Sequence, residues 1–274
     1  MSSATCIAVE GLWHRYDDGF EALRGIDLSI AEGERVAIVG QNGSGKTTLA
    51  KHFNGLLKPT RGIVRVHGLD TRRHSVGELA AHAGYVFQNP DHQLFKETVW
   101  EEVAFGLRNL RTPPEIIEER VTQVLTALDL EAKRDLHPFR LSKGDRQRLA
   151  IASIAVLRPS VLIVDEPTTG QDPVKAREVM NLLAQINREQ QMCIIIISHA
   201  MDLVAEYARR TIVMTDGEVI LDGPTRTVFS QPEILARADI KPPPVTRLAL
   251  SLGLVPAPVT LTEAQDLILS RVKA

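Results

Sequence analysis

The stretch Gly40-Gln41-Asn42-Gly43-Ser44-Gly45-Lys46-Thr47 follows a short apolar run, Arg35 to Val39, and precedes an expected helix from about Lys46 to Phe53. It matches the pattern G-x-x-x-x-G-K-[ST], in which backbone N–H groups at a helix N-terminus surround phosphate oxygens. Glycine permits the positive-φ turn and the close approach of backbone to phosphate. The pattern predicts that Lys46 reaches the β- and γ-phosphates and that the Thr47 hydroxyl binds Mg²⁺. A chance glycine-rich turn is the alternative, whereas the glycine spacing does not fit a dinucleotide fingerprint.

Two further apolar runs end beside residues with reactive side chains. Val161 to Val164 is followed by Asp165 and Glu166, and the run that ends at Ile197 is followed two residues later by His199. Short apolar strands that alternate with helices predict a largely parallel sheet covered on both faces, whose ligands bind at the carboxyl ends of its strands. There an Asp can hold Mg²⁺ through water, and the following Glu can deprotonate an attacking water. Asp165 and Glu166 could instead cap the following helix. For His199, its position after a buried strand is the only argument for a catalytic role.

The rest of the chain divides into segments with different periodicity. Apolar alternation before the phosphate loop (residues 40–47) predicts half-buried antiparallel strands. A helical pattern extends over about residues 98–157, with Thr112 as a candidate N-cap and Glu115 at the capping-box position. Residues 214–218 predict a closing hairpin. Pro242, Pro243 and Pro244 predict a stiff linker before a short amphipathic tail.

Composition narrows the class of protein. The 274 residues carry 32 Lys+Arg and 34 Asp+Glu, a net charge of −2, so no global positive field favours nucleic acid or anionic lipid. Aromatic residues make up only 4%, too few for a single-strand stacking platform. The two cysteines, Cys6 and Cys193, lack metal-ligand spacing and are typical of a reduced, cytosolic protein. The N-terminus shows no signal-peptide pattern, and no apolar run is long enough to span a bilayer.

Taken together, the motifs resemble those of ABC-type ATPase nucleotide-binding domains, in the order of that family. The matching segments are the phosphate loop (Walker A), Gln88 (Q-loop), Leu141 to Asp145 (signature), Val161 to Glu166 (Walker B), Gly170 to Asp172 (D-loop), His199 (switch histidine) and Tyr16 (adenine-stacking aromatic). The resemblance implies an α/β fold: a RecA-like P-loop NTPase core with an antiparallel β subdomain and an inserted helical subdomain of about residues 90–157. The predicted nucleotide-binding domain is 1–235, and residues 236–274 form a small C-terminal extension.

Two features depart from the usual family pattern. The signature usually reads L-S-G-G-Q, and here Lys143 and Asp145 replace one Gly and the Gln, while Ser142 and Gly144 remain. Gln171 stands in the D-loop where Leu is common.

Within the family, the chain is similar to the A-components of energy-coupling factor importers. The similarity lies in three segments: F-Q-N-P-D-H-Q-L-F (87–95), the signature sequence L-S-K-G-D-R-Q-R and the Pro-rich start of the C-terminal extension.

The resemblance implies a role for each matching residue. Glu166 is expected to polarise water, His199 to hold the γ-phosphate and attacking water, and Gln88 to ligand Mg²⁺ and report to the transport partner. Thr47 and Asp165 complete the expected magnesium ligands. The expected ATP contacts are Tyr16, Gly40, Asn42, Gly43, Ser44, Gly45, Lys46, Thr47 and Thr48 in one chain and Ser142 and Gly144 from the other.

The resemblance also implies partners and a location. Two ATP molecules are expected between two such domains, in a homodimer or a heterodimer with a paralogous ATPase. The dimer is expected on the cytoplasmic face of the membrane, bound to a T-component and a substrate-binding S-component, hydrolysing ATP to power uptake of a vitamin or a cobalt or nickel ion. Asp91, Glu101 and Glu102 predict an acidic docking surface, with a solvated helix face as the alternative.

Other functions remain as alternatives. One is the ATPase of another ABC importer. A soluble ABC ATPase acting on nucleic acid or ribosomes normally has tandem domains, a coiled-coil insertion or a basic surface, and no nucleic-acid partner is expected. Glu166 and His199 argue against a nucleotide switch without turnover.

Overall fold

The computed structural model describes residues 4–254 and 256–272. Their strands form two β-sheets. The strands are β1 Thr5–Arg15, β2 Glu21–Ala31, β3 Arg35–Val39, β4 Arg61–Val66, β5 Leu69–Asp70, β6 Ala83–Val86, β7 Val161–Asp165, β8 Cys193–Ile197, β9 Arg210–Thr215 and β10 Glu218–Pro224. The antiparallel sheet has the order β2-β1-β4-β5, and the second sheet has the order β10-β9-β3-β8-β7-β6. The predicted antiparallel strands and the 214–218 hairpin are confirmed.

The six-stranded sheet is parallel except for its edge strand β10, and it is covered on both faces as predicted. Along β7, Leu162 and Val164 pack into one apolar cluster, whereas Val161 and Ile163 pack into another on the opposite face. This alternation is what a continuous apolar strand gives when both faces are buried. The carboxyl ends of these strands therefore meet at one edge of a rigid sheet.

Eleven helices begin among the described residues. They are α1 Lys46–Phe53, α2 Val76–Ala80, α3 Val99–Asn109, α4 Pro114–Ala127, α5 Lys143–Ala155, α6 Pro173–Gln190, α7 Met201–Tyr207, α8 Thr225–Phe229, α9 Pro232–Arg237, α10 Pro244–Ser251 and α11 Leu261–Val272. In the described part of the chain, no helix is both long and apolar enough to cross a membrane.

The predicted helical region is three helices, α3, α4 and α5, and one of its predicted caps is wrong. Helix α4 begins one residue later than the Thr112 cap requires, with Pro113 at the N-cap and no side-chain cap hydrogen bond. Proline fixes φ near the helical value and needs no N–H partner in the first turn, so the paired prolines start the helix without Thr112 or a capping box.

The Pro-rich segment 242–244 is not the stiff linker that the sequence predicts. Pro242 and Pro243 are buried, and Pro243 and Pro244 are the N-cap and first residue of α10. Ile240 and Val259 pack into the apolar cluster that covers Val213 of β9. The segment therefore starts a helix packed on the core, and the predicted domain boundary at residue 235 falls inside α9.

Candidate nucleotide site

A cavity of about 430 Å³ lies at the carboxyl ends of β3, β6, β7 and β8. Its lining residues that the sequence predicts are Tyr16, Asn42, Gly43, Gly45, Lys46, Thr47, Thr48, Gln88, Asp165, Glu166 and His199. Four further lining residues, Phe20, Ala22, Thr169 and Ile197, are not predicted. The structure thus brings the Walker A, Q-loop, Walker B and switch-histidine residues together in one place.

The phosphate loop turns back on itself around the Lys46 ammonium. Lys46 is only 6% exposed, and its Nζ donates to the carbonyl oxygens of Gly40 at 2.9 Å and Gln41 at 2.8 Å. Burial lowers the pKa of Lys46, while the neighbouring Asp165 and Glu166 act in the opposite direction. Ser44 Oγ is buried and has no hydrogen-bond partner among the described residues. The buried ammonium and the unpartnered hydroxyl both belong to the loop that the sequence pattern assigns to phosphate binding.

The phosphate loop packs between the β9–β10 turn and the start of β2. A Cβ on Gly40 would collide with the Met214 carbonyl oxygen, and one on Gly45, whose φ is +100°, would lie 2.8 Å from the Ala22 carbonyl oxygen. Gly217 N, in the β9–β10 turn, donates to the Ser44 carbonyl oxygen at 3.2 Å. Gly40 and Ser44 therefore shape the loop from behind and do not line the cavity.

Thr47, Asp165 and Tyr85 form a connected group of oxygen atoms. Thr47 Oγ1 donates to Asp165 Oδ2 at 3.0 Å, and Tyr85 Oη donates to the same oxygen at 2.7 Å. Burial, followed by the Asp165 charge, raises the pKa of Tyr85 above its ordinary value, so the phenol stays a proton donor. The Thr47 hydroxyl, Asp165 carboxylate and Gln88 amide are the hard oxygen donors that suit Mg²⁺ beside phosphates. The described residues hold no cluster of three His, Cys, Asp or Glu side chains that would suit another metal.

Tyr85 and Thr169 contact the site residues Asp165 and Glu166, and neither contact is predicted from the sequence. The detectable signal for Tyr85 was its place in the strand next to β7, where it pairs with Ile163. Thr169 Oγ1 donates to Glu166 Oε2 at 2.9 Å, an i to i+3 contact within the loop after β7. A loop conformation of this kind is not encoded in a periodic pattern.

Glu166 and His199 contact each other across adjacent strand ends. Glu166 Oε1 lies 3.0 Å from His199 Nε2, and Glu166 N donates to the Ile197 carbonyl oxygen at 2.9 Å. Glu166 has φ of +50°, a left-handed conformation that is uncommon for a non-glycine residue. Such strain concentrates at functional sites, and here it turns the carboxylate into the cavity.

Tyr16 borders the cavity and is held on two sides. Its hydroxyl is 2.9 Å from Thr48 Oγ1, and its ring meets the His14 ring edge-on with centroids 4.7 Å apart. Phe20, 57% exposed, lies at the other end of the same turn and was detectable only as an aromatic residue near Tyr16. His52 packs edge-on against His14, and burial lowers its pKa to about 4.

The signature residues lie away from this cavity. Ser142 caps α5, its hydroxyl accepting from Asp145 N at 3.2 Å, and Gly144 follows in the first turn. Neither residue lines the cavity that contains Lys46.

The predicted acidic docking surface is wrong for Glu102. Glu102 is 3% exposed and accepts from the backbone N–H groups of Phe95 and Lys96, both at 2.8 Å. A buried carboxylate is stable only with such donors, so Glu102 serves to fix the 95–96 turn. Asp91, by contrast, stays exposed, and its carboxylate lies 2.7 Å from Arg146 Nε in an ion pair.

Comparison with known proteins gives the family. The model of the family described as "ABC transporter" matches residues 23–169, which include the phosphate loop, Gln88, the signature and Walker B. The chain belongs to the ABC transporter family. Its predicted fold class is confirmed by solved structures of ATP-binding cassettes.

Individual members of the ABC transporter family refine this result. The energy-coupling factor transporter ATP-binding protein EcfA of Methanocaldococcus jannaschii is 42% identical over 244 residues, covering 88% of this chain and 87% of that protein. CbiO1 from Clostridium perfringens, part of the ABC transporter complex CbiONQ, has a TM-score of 0.78 at 38% identity, covering 91% of this chain and 99% of that chain. These similarities confirm the predicted resemblance to energy-coupling factor ATP-binding proteins.

Two further findings concern assembly and length. A dimeric ATP-binding cassette in a post-hydrolysis state, bound to ADP and Pi, has a TM-score of 0.72 at 28% identity, covering 80% of this chain and 98% of that chain. The chain spans only 42, 45 and 40% of the length of three curated relatives to which it is 44–50% identical.

Proposed function

We propose that this chain binds and hydrolyses ATP to ADP and phosphate as the motor of an energy-coupling factor importer. The observation that carries the proposal is the Glu166–His199 contact of 3.0 Å in the same cavity as the Thr47–Asp165 hydrogen bond of 3.0 Å. A base, a phosphate loop and hard oxygen ligands in one cavity are the parts that phosphoryl transfer to water requires.

Each residue has a role that follows from its position. The phosphate loop and Lys46 hold the β- and γ-phosphates, and Tyr16 stacks on the adenine. Thr47, Asp165 and Gln88 hold Mg²⁺, which neutralises phosphate charge when bound. Glu166 orients the attacking water and accepts its proton, and His199, whose Nε2 lies 3.0 Å from Glu166 Oε1, holds the γ-phosphate beside it.

The proposed hydrolysis site is completed by a second nucleotide-binding domain. Ser142 and Gly144 do not line the cavity of their own chain, so they are free to contact a nucleotide held elsewhere. The dimeric relative bound to ADP and Pi supports an arrangement of two such domains. The second domain is a second copy of this chain or a paralogous ATPase.

The transport partners are proposed to be a membrane T-component and a substrate-binding S-component, which place the ATPase on the cytoplasmic face of the membrane as a peripheral subunit. The relatives that are energy-coupling factor ATP-binding proteins, and CbiO1 of the CbiONQ complex, support this assignment. The proposed cargo class is a vitamin or a cobalt or nickel ion, captured by the S-component. Gln88 connects the cavity to the docking region that follows it in sequence.

We propose that the transport partner docks on an aromatic surface near Gln88. Phe95 is 60% exposed and meets Phe105 edge-on with centroids 4.9 Å apart. Lys96 Nζ lies 5.0 and 4.3 Å from these two ring centroids. Exposed aromatic side chains of this kind are enriched at protein–protein contacts.

The experiment that tests the proposal uses the purified chain with Mg²⁺ and ATP. We expect phosphate release and ATP-dependent self-association, both abolished in Lys46→Ala because the phosphates lose their buried cation. Equilibrium titration with a fluorescent ATP analogue separates lost binding from lost turnover. A wild-type chain that neither binds the analogue nor releases phosphate would refute the ATPase assignment.

A further inference from the structure

A second cavity of about 430 Å³ lies between α4, the end of α5 and α6. Pro159 and Met192, which precede β7 and β8, border this α4–α6 cavity, so it lies at the amino ends of these strands. The nucleotide cavity lies at their carboxyl ends, and in the described part of the chain the two cavities share no lining residue. The α4–α6 cavity is therefore a separate feature at the opposite edge of the sheet.

The floor of the α4–α6 cavity is apolar. Its buried members belong to the apolar cluster on one face of the parallel sheet and include Leu128, Val156, Leu182, Ile186 and Met192. Ligand sites are typically concave, mostly apolar cavities of about 300–1,000 Å³ with a few polar groups at fixed positions. The volume and floor of this cavity thus suit the apolar part of a small organic molecule.

Two arginines border this floor without an acidic partner. Arg120 on α4 is half-buried and Arg158 after α5 is exposed, and within the described residues neither guanidinium lies within ion-pair distance of a carboxylate. Arg158 Nη2 donates to the neutral Gln123 Oε1 at 3.4 Å. Glu189, the carboxylate among the described lining residues, accepts from Gln185 Nε2 at 2.8 Å. The cavity therefore has a net positive charge beside an apolar floor.

Arg158 has a backbone conformation that is unusual for arginine. Its φ is +53°, in the left-handed region that glycine and asparagine adopt more readily after a helix. Its N–H donates to the Ala155 carbonyl oxygen at 2.9 Å, which fixes this conformation to the end of α5. An asparagine at position 158 would suit the backbone better, so the fold itself gains nothing from an arginine in this conformation.

We propose that the α4–α6 cavity binds a small organic anion, a carboxylate or sulfonate attached to an aromatic or branched apolar body. Arg120 and Arg158 hold the anionic group by charge-assisted hydrogen bonds, to which the planar guanidinium is well suited. The apolar floor covers the body of the ligand. Binding needs neither ATP nor a second chain, so the site is independent of the proposed function.

The test is a fluorescence titration of the purified chain with anilinonaphthalene sulfonate, which carries a single sulfonate on an aromatic body. We expect saturable binding that is the same with and without Mg²⁺ and a non-hydrolysable ATP analogue. Arg120→Gln and Arg158→Asn should each weaken binding about 10–100-fold, the loss expected for a hydrogen bond between charged groups. The neutral analogue N-phenylnaphthylamine, which lacks the sulfonate, should bind the wild type at least about tenfold more weakly.

Three further measurements serve as controls. Arg188 lies in the last turn of α6 outside the cavity lining, so Arg188→Gln makes the same change in net charge and should stay within about threefold of the wild type. Ala127→Trp, at an exposed lining residue, should weaken binding by filling the cavity without removing a charge. The Tm of Arg158→Asn should equal or exceed that of the wild type, because asparagine adopts the left-handed conformation more readily.

The outcomes separate the α4–α6 cavity from the nucleotide cavity. Displacement of the fluorescent anion by the ATP analogue, or equal affinities for Arg120→Gln, Arg158→Asn and Arg188→Gln, would overturn the proposed anion site. Equal affinity of the wild type for the neutral analogue would overturn the role of the two arginines. A chain that binds the anion as expected but neither binds nor hydrolyses ATP would refute only the proposed function.

Discussion

Glu166 Oε1 lies 3.0 Å from His199 Nε2, although the two residues follow different strands of the parallel sheet and are 33 positions apart in sequence. The contact exists because β7 and β8 are neighbours, with Asp165 paired to Ile197 at their ends. A carboxylate and an imidazole are thereby held by the sheet itself, and the loops that follow need only small adjustments to bring them together.

Glu166→Gln should leave ATP binding intact while hydrolysis falls roughly 10²–10⁴-fold, because the amide cannot accept the proton of the attacking water. Phosphate release and equilibrium binding of a fluorescent ATP analogue measure the two effects separately. Thr169→Ala, which removes only the neighbouring hydroxyl, should cost far less activity. Unchanged turnover of Glu166→Gln in a clean preparation contradicts the role of Glu166.

Tyr85→Phe should lower the free energy of unfolding by about 2 kcal/mol, because Asp165 loses a buried hydrogen bond to a charged group. It should also raise the Mg²⁺ concentration that gives half-maximal hydrolysis several-fold, since Asp165 is then less well positioned. Urea unfolding and a magnesium titration measure these effects. Tyr207→Phe, which removes a similar 2.7 Å hydrogen bond to Asn181, should leave the magnesium dependence unchanged. An unaltered magnesium requirement in Tyr85→Phe would show that this hydrogen bond does not position Asp165.

His52→Phe should make the free energy of unfolding depend less on pH at acid pH. Burial lowers the pKa of His52 to about 4, so the folded chain keeps this ring neutral while the unfolded chain binds a proton below about pH 6.5. The free energy of unfolding therefore decreases as the pH falls from about 6.5 to 4, by roughly 3 kcal/mol at most from this group.

Urea unfolding between pH 4.5 and 7.5 measures that slope. The absolute stability of His52→Phe should be lower because the 2.7 Å hydrogen bond between His52 Nδ1 and the Thr48 carbonyl oxygen is lost, so the slope is the informative quantity. The exposed His92, changed to Phe, should leave the slope as in the wild type. Equal slopes for all three proteins exclude His52 as the source of acid sensitivity.

Phe95→Ser should reduce co-purification of the chain with the proposed membrane partners at least several-fold, while ATP binding and thermal stability stay close to those of the wild type. The side chain is 60% exposed, so little folding energy depends on it. Leu110→Ser, which alters a 48% exposed residue just after the other end of α3, is the matched control. Comparable recovery of membrane partners by both variants argues against docking through Phe95.

The phosphate loop, the parallel sheet and the grouping of Asp165, Glu166 and His199 were predictable because each depends on local pattern or on neighbouring strand ends. Tyr85 and Thr169 were missed because their roles depend on side-chain directions across strands and loops. Glu102 was misjudged because an acidic residue near a helix start is usually exposed, whereas here the turn at Phe95 and Lys96 folds over it. Thr112 lost its capping position because the following prolines already start the helix.

The turn at Asp216 and Gly217 has a practical implication for protein engineering. Its tip, Asp216, is exposed and sits at the end of a short hairpin, the kind of position usually chosen for an epitope tag or an inserted reporter domain. Yet Gly217 holds the Ser44 carbonyl oxygen, and a Cβ there would lie 2.7 Å from the Ala22 carbonyl oxygen. An insertion at this exposed turn would displace the phosphate loop, so labels are better placed elsewhere on the chain.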